Sequence, residues 1–538
     1  MKRVSRWLVV AAVVGTARDL SARPARAPLP QQLDAPEINV EPPRIFLKTA
    51  MPAAPATGRR VISVAAGGNL QQALDAAQPG DVIELAKGAV FSGNFTLRNK
   101  NTASDAWIVI RPANHANLPA EGTRMTPAVA QRLALPRIET PNAEDPIKTA
   151  RGAHHYRLVA LDVGIAAARN QAWTAITLGD DNRTLADIPH DLVLDRMYVH
   201  GNATATLRRC VVINSASTAI IDSWLSDCHE KGSDSQAILG YNGPGPFKIV
   251  NNYLEGAGEN VMFGGADPSI VGMVPSDIEI RRNHFYKPLA WKGKWTIKNH
   301  LELKNAQRVL IEGNVMENSW WDGQAGASLL VKSTNQSGKC QWCVSRDVNI
   351  RLNLIRNVGV GIAFTGMDGG PVTTTARNIS MTDNVISRIN LPPFEGDGFA
   401  MILSGLTSVV IAHNTIVEAK TAMVLGGVNQ DFSFHDNILA SIKYGVIADG
   451  MTVKAAIATH LPGSRFIRNA LVVPDAGVDY PQGNYFPPSL RAIGFEDLAG
   501  ENYRLVRISK YEKAGTGGKD IGADVVALDA AIAGVRVP

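Results

Sequence analysis

The sequence predicts an all-β fold, a right-handed parallel β-helix. Three observations carry that expectation: an apolar segment centred on Asn or Asp that recurs along the chain, a second class of short strands that share two apolar columns, and a composition suited to a long core. A globular chain of 538 residues would divide into several domains. That prior fails for a chain built from repeats, so repeats are sought first. Hydrophobic residues make up 45% and charged residues 19%, which excludes a disordered protein.

The recurring segment reads Leu161-Asp162-Val163, Leu194-Asp195-Arg196, Ile221-Asp222-Ser223, Asn251-Asn252-Tyr253 and Arg282-Asn283-His284. It continues through Asn314, Asn353, Asn384, Asn414 and Asn437 to Asn469. The mean step is about 31 residues, inside the range of solenoid repeats. The strands between are short and β-branched, punctuated by Gly, Asn and Asp. A left-handed hexapeptide helix would need a six-residue period, which is absent.

The second strand class begins at Gln236, Asn260, His300, Ser328, Gly361, Ala400 and Ala422. One column holds Ala237, Val261, Leu301, Leu329, Ile362, Met401 and Met423; the other holds Leu239, Phe263, Leu303, Val331, Phe364, Leu403 and Leu425. Strand alternation makes both columns inward-facing. Stacked coils then share a core that no single coil could bury.

On these repeats the chain, from about Val61 onward, resembles the pectin-lyase-like superfamily of right-handed β-helices. The resemblance implies that Gly68 to Ala77 is the short N-terminal capping helix of such folds and that Gly518 to Ala523 is a closing segment. Capping is needed because an open β-helix end is an exposed sheet edge.

Lys2, Arg3 and Arg6 precede an apolar run from Leu8 to Ala17, too short to span a bilayer. The expected organisation is a signal peptide over 1–27, a Pro-rich linker over 28–58 and the β-helix over 59–538, in a protein exported to the periplasm, cell surface or medium. No later segment is apolar enough for a membrane span. The net charge of +5 permits an anionic partner, and no nucleic-acid module is recognisable. The sequence carries no sign of oligomeric state. In an exported chain, Cys340 and Cys343 read as a local disulfide or a free pair.

If the apolar columns face inward, their alternates face out. This places His300, Glu302 and Lys304 on one outer strand, Ser328, Leu330 and Lys332 on the next coil, and Asn260, Met262 and Gly264 on the previous one, with Gln236 beyond. In-register neighbours stand about 4.8 Å apart, so Lys304 and Lys332 are expected to stack as like charges. Crowding of that kind lowers a lysine pKa toward neutrality and makes a base. A uronic-acid polymer undergoing β-elimination needs such a base, a cation on its carboxylate and an acid for the leaving oxygen. Lys304 is the expected base, Lys332 the neutralising or acid group, His300 and Glu302 their orienting partners, and Asn260 and Gln236 substrate contacts.

Trp291, Trp295, Trp320, Trp321 and Trp342 lie close in sequence to this pair, and aromatic faces stack on sugar rings. The loop from Tyr286 to Trp295 is long and basic, as insertions that build a solenoid's groove are. His229 is either an acid–base group or a turn residue. Asp227, Glu230, Asp234, Glu255, Glu259 and Asp267 offer oxygen ligands that suit Ca²⁺, although no cofactor is required by the chemistry. His154-His155 precedes an early coil, far along the axis from this group.

The segment from Lys304 to Asn314 is similar to the Lys-bearing coil of the alginate and dermatan lyases built on this fold. The resemblance implies a base at Lys304, and it places Lys332 where the family has Arg. Ile297, Lys298 and Asn299 stand where the family carries calcium-binding Glu residues. The expected function is therefore a polysaccharide lyase acting on an anionic polymer. The alternatives are a glycoside hydrolase with two carboxylates among Glu255, Glu259, Asp267 and Glu302, and a non-catalytic polysaccharide-binding surface protein.

Overall fold

Each coil of the chain is three short parallel strands joined by bends, and the bends follow from the sequence. At the first bend one residue takes left-handed backbone angles, as in Asn251 (φ 59°), Arg282 (φ 55°), Asp383 (φ 55°) and Asp436 (φ 56°). The next residue is a buried Asn. Its side chain replaces the hydrogen bonds that the turning backbone loses. The N–H and Nδ2 of Asn283 both donate to Asn314 Oδ1 (2.9 and 3.1 Å), and Nδ2 also donates to the Ile249 carbonyl (2.8 Å). The same three-bond pattern passes from Asn314 to Asn353, Asn384, Asn414, Asn437 and Asn469. The first three members of the sequence repeat do not belong to this ladder. Ser223 and Met197 hold the equivalent positions, while Asp195 pairs with Arg157 (2.7 Å) and Arg196 (2.8 Å).

This computed structural model describes residues 38–51, 58–477 and 479–537. The expected signal peptide (1–27) and most of the expected linker lie outside the described residues. The β-helix falls within a single compact unit, Ala35–Pro538. One 14-stranded sheet forms the first face, and 23 further strands form the second and third faces. Strands on each face pair in parallel with the coils before and after, which is the right-handed parallel β-helix the repeats predict.

The apolar columns run as expected through Val261, Leu301, Leu329, Ile362, Met401 and Met423. One coil departs from them. Ile238, not Ala237, pairs with Val261, and Leu239 pairs with Met262. Leu239 thus faces outward, in a small apolar cluster with Val212 and Met262. A short glycine-containing strand can shift by one residue here because Gly240 fills the inward position opposite Phe263.

Helix Leu70–Ala76 closes the N-terminal end, with Asn69 accepting from the Gln72 N–H and Leu70, Ala73 and Leu74 buried on the core. Residues 38–51, expected as part of a linker, instead lie along the first face. The Arg44 N–H donates to Asp277, Lys248 donates to the Leu47 carbonyl, and Arg157 donates to the carbonyls of Thr49 and Ala50. The C-terminal segment covers part of the second face: Ala523 N–H donates to Thr415 Oγ1, and Arg536 pairs with Glu317 (3.2 Å). All four cysteines are bonded, Cys340 to Cys343 and, unforeseen, Cys210 to Cys228 within the core.

Candidate functional site

Three loops join second-face to third-face strands on three of four successive coils, 229–235, 287–300 and 318–326, with only the short bend 257–258 on the coil between the first two. They bond to each other in order. The Thr296 N–H donates to the Glu230 carbonyl, the Gly323 N–H to the Ile297 carbonyl, and Ser319 Oγ to the Lys298 carbonyl. Together they build a wall along the corner. On its third-face side lies a charged cluster, and on its second-face side an aromatic groove.

The charged cluster is centred on Glu302, in strand Leu301–Leu303, whose side chain is fully buried. Register puts Lys304 and Lys332 on adjacent coils. Their ammonium groups stand 3.3 and 3.6 Å from the same Glu302 oxygen, and their side chains are 12% and 16% exposed. The other Glu302 oxygen accepts from Asn299 (3.1 Å). Lys332 also pairs with Asp368 (3.0 Å), and Lys298 with Asp234. Gly264, at φ 109°, makes room: a Cβ there would stand 2.6 Å from the Lys304 Cβ.

The two lysines therefore meet as the sequence predicts, but the expected electrostatics are reversed. Burial alone would lower the Lys304 pKa. Glu302, Glu259 and Asp234 outweigh it and hold Lys304 above the ordinary lysine value. Glu259 lies behind them, pushed up to about 8 by burial and by the Glu302 and Asp234 charges.

Other expected members take no outward part. His300 is buried, with Nδ1 2.9 Å from Ser328 Oγ and Nε2 2.9 Å from the Glu317 carbonyl; its pKa is lowered to about 3, chiefly by burial. Asn260 is buried and donates to the carbonyls of Leu254 and Tyr286. Gln236 is buried between Arg209 and Glu259. The misplacement has one cause. His300 precedes strand Leu301–Leu303 and Asn260 stands at the start of strand Glu259–Phe263, and both side chains turn into the corner, where backbone carbonyls need donors.

The tryptophans also divide. Trp320 is buried with Trp291, Ile297 and Ala257 in a small core inside the wall, and Trp321 is 62% exposed. Trp342 donates to the Met273 carbonyl. Lys287, which the sequence shows only as part of a basic loop, is fully buried and donates to the carbonyls of Ala257 and Gly258, so it anchors the wall. Asp368 was missed in the sequence; its one signal was a polar turn just after an outward strand.

The aromatic groove follows from the register of the second face, where Tyr198, Trp224, Tyr253 and His284 stand on successive coils. Trp224 and Tyr253 stack at 3.7 Å. Together with Trp291 and Trp295 from the wall, Tyr198 and Trp224 line a cavity of about 360 Å³ that also presents Asp227 and Glu255. Glu255 accepts from the Tyr253 hydroxyl (2.6 Å) and the Asp227 N–H (3.2 Å). Burial pushes it up to about 7, with Asp227 adding to the rise. His229 lies fully buried behind this wall, stacked on Trp295 at 3.9 Å, its Nε2 3.8 Å from Asp227.

Of the acidic residues expected as calcium ligands, Asp227 and Glu255 face the groove together and Asp234 and Glu259 lie beside the charged cluster, while the other two stand apart. Glu230 pairs with Arg208 (3.2 Å), and Asp267 accepts from the N–H groups of Gln336, Ser337 and Lys339.

No family model matches the chain, and no curated protein matches it. Among solved structures it is similar to an alginate lyase from a Paenibacillus species, at 16% identity over 69% of this chain and 98% of that one, with a TM-score of 0.38. It is similar to a mannuronic-acid-specific family 6 lyase from human gut microbiota, at 13% identity over 79% and 89%, with a TM-score of 0.49. It is also similar to a tailspike protein of an E. coli bacteriophage in complex with a pentasaccharide, at 12% identity over 77% and 62%, with a TM-score of 0.46. At such identities and TM-scores the likeness adds nothing to the right-handed parallel β-helix that the strand pairing itself describes.

Proposed function

We propose that the protein is an exported polysaccharide lyase that cleaves a uronic-acid polymer by β-elimination at the charged cluster. One observation carries this reading: two partly exposed lysine ammonium groups share a single buried carboxylate oxygen on an outer strand face. An anionic sugar ring presented there meets two cations at once. Lys332 holds the uronate carboxylate and so acidifies the C5 proton. Lys304 takes that proton, the C4–O4 bond breaks as the 4,5-double bond forms, and the Lys304 ammonium so formed gives the proton to the leaving oxygen. Two disulfides suit an oxidising compartment, and no helix among the described residues is long and apolar enough to cross a membrane.

The reading has a definite pH signature. The base form of Lys304 is scarce while its pKa stays above the ordinary 10.5. The value of kcat/KM should therefore rise about tenfold per pH unit through the neutral and mildly alkaline range. The test is absorbance of the unsaturated uronate product on a panel of uronic-acid polymers, with and without Ca²⁺, for the wild type and Lys304→Ala. A signal that survives Lys304→Ala removes the base. A rate that falls with rising pH gives Lys304 the protonated role instead. No product on any polymer sinks the lyase reading.

A second reading rests on the groove. Glu255, held near 7 beside Asp227 in an aromatic cavity, has the make-up of a general acid with a carboxylate partner. Glycoside hydrolysis there would yield new reducing ends without unsaturated product, and Glu255→Gln would abolish them.

A further inference from the structure

The start of the first face carries a histidine cluster that neither site above uses. Strand His154–Val159 pairs in parallel with His190–Asp195, with His154 opposite His190. Their rings stack 4.9 Å apart at an interplanar angle of 3°. In a regular strand the next side chain would point to the other face. Here the next residue of each coil, His155 (φ 57°) and Asp191 (φ 52°), takes left-handed backbone angles, and the alternation breaks. Neighbours in sequence therefore touch: His154 Nδ1 lies 2.8 Å from His155 Nδ1, and His190 Nδ1 lies 2.7 Å from Asp191 Oδ2. His155 Nε2 stands 3.9 Å from the same Asp191 oxygen. Trp107 packs edge-on against His155 at 5.2 Å.

We propose that His155, His190 and Asp191 form a binding site for a divalent transition-metal ion of the zinc type, with His154 as a flanking imidazole. One ligand atom from each of the three lies within 4.8 Å of the others. Ligand atoms around a tetrahedral zinc stand ~3.4 Å apart for metal–ligand distances of ~2.0–2.1 Å, so small side-chain rotations close the set. Imidazole with a single carboxylate selects such an ion over Ca²⁺ or Mg²⁺, which take oxygen ligands. The ligands come from two consecutive coils, so the ion clips those coils together near the capped end. This site is independent of the lyase reading.

The test uses chelator-treated, tag-free protein titrated with Zn²⁺ by calorimetry and with Co²⁺ by visible absorption. The expected result is 1:1 binding at micromolar affinity or tighter, tetrahedral Co²⁺ bands, and an unfolding midpoint that climbs with Zn²⁺. His190→Gln and Asp191→Asn keep the local shape and should each weaken binding by about tenfold or more. Absence of 1:1 binding, or binding unchanged in both variants, overturns the proposal. Cleavage of polymer is read separately, so failure here leaves the charged cluster untouched.

Discussion

The third and second faces of the same coils carry opposite chemistry on the two sides of one wall. On the third face Glu302 lies between two lysines, Lys332 also pairs with Asp368 and Lys298 with Asp234, while Glu259 behind them accepts from Gln236 and is pushed up to about 8. On the second face Asp227 and Glu255 share a cavity with Trp224, Tyr198 and the wall tryptophans. Among the described residues no lysine or arginine pairs with Glu255, and its carboxyl rises, as that of Glu259 does. The contrast shows how a β-helix tunes its titrating groups. The scaffold is the same on both faces, and on each the buried carboxylate without a cationic partner, Glu259 or Glu255, is the one whose pKa rises.

The largest separation between the two regions is expected from Lys304→Ala. General-base removal typically costs 10²–10⁴-fold in rate, and product from a uronate polymer should fall by about that much. Binding of sugars at the groove should stay unchanged, as measured by tryptophan fluorescence. Loss of both would mean that the two faces form one continuous site.

Glu302→Gln comes next, because it leaves two partly exposed ammonium groups without their shared buried anion. Removing one partner of a buried ion pair costs roughly 3–5 kcal/mol, to be read in urea unfolding at neutral pH. The sign follows from Lys304. Its folded pKa lies above the ordinary 10.5, so its stabilisation is fully present below that value and is lost as pH rises through the folded value. The variant should lose this alkaline dependence. It should also shift the rising arm of the rate profile to lower pH, since the lysines would then crowd each other with no carboxylate between them.

Much of this was legible in the sequence, and the limits are physical. The Asn repeat and the inward columns marked the coils because each reflects a bond or contact repeated at every turn, as with Asn283 to Asn314 and Leu301 to Leu329. Lys304, Lys332 and Glu302 were found together because strand alternation fixes outward residues. His300 and Trp320 were misplaced because they sit in corner loops, and Asn260 because it stands next to a tight corner at the start of strand Glu259–Phe263, where side chains turn in to satisfy carbonyls or fill space. His154 and His155 were set aside for their distance along the axis, and His190 and Asp191 were not joined to them because the left-handed residues at His155 and Asp191 leave no mark in the sequence pattern. Pairing of Cys210 with Cys228 was missed because it joins the third face of one coil to the second face of the next, a contact that linear spacing does not show.

Glu255→Gln probes the groove by stability. The folded carboxyl titrates at about 7 against an ordinary 4.5. Below 4.5 both folded and unfolded forms are protonated, and no stability depends on the group. As pH rises from 4.5 to about 7 the unfolded chain ionises first, so folding loses up to roughly 3 kcal/mol. The glutamine variant should be more stable than the wild type at pH 8 by up to that amount, and similar at pH 4. A wild type with no such slope would place Glu255 in contact with water.

The smallest expected effect is the most specific to the aromatic side. Trp224 stacks on Tyr253 at 3.7 Å and is one of the residues that line the cavity. A sugar ring laid there would meet an aromatic plane, and an aromatic contact of that kind is worth roughly 0.5–1.5 kcal/mol beyond its buried area. Trp224→Ala should therefore weaken binding of a neutral oligosaccharide by about tenfold, with uronate cleavage at the third face unaltered. The two carboxylates of the groove repel a uronate, so a charged oligosaccharide should bind there more weakly than a neutral one at pH 8, and less so at pH 5 where Glu255 is protonated. Equal binding of both at pH 8 would mean that the groove does not read charge, and the contrast between the two faces would then be one of shape.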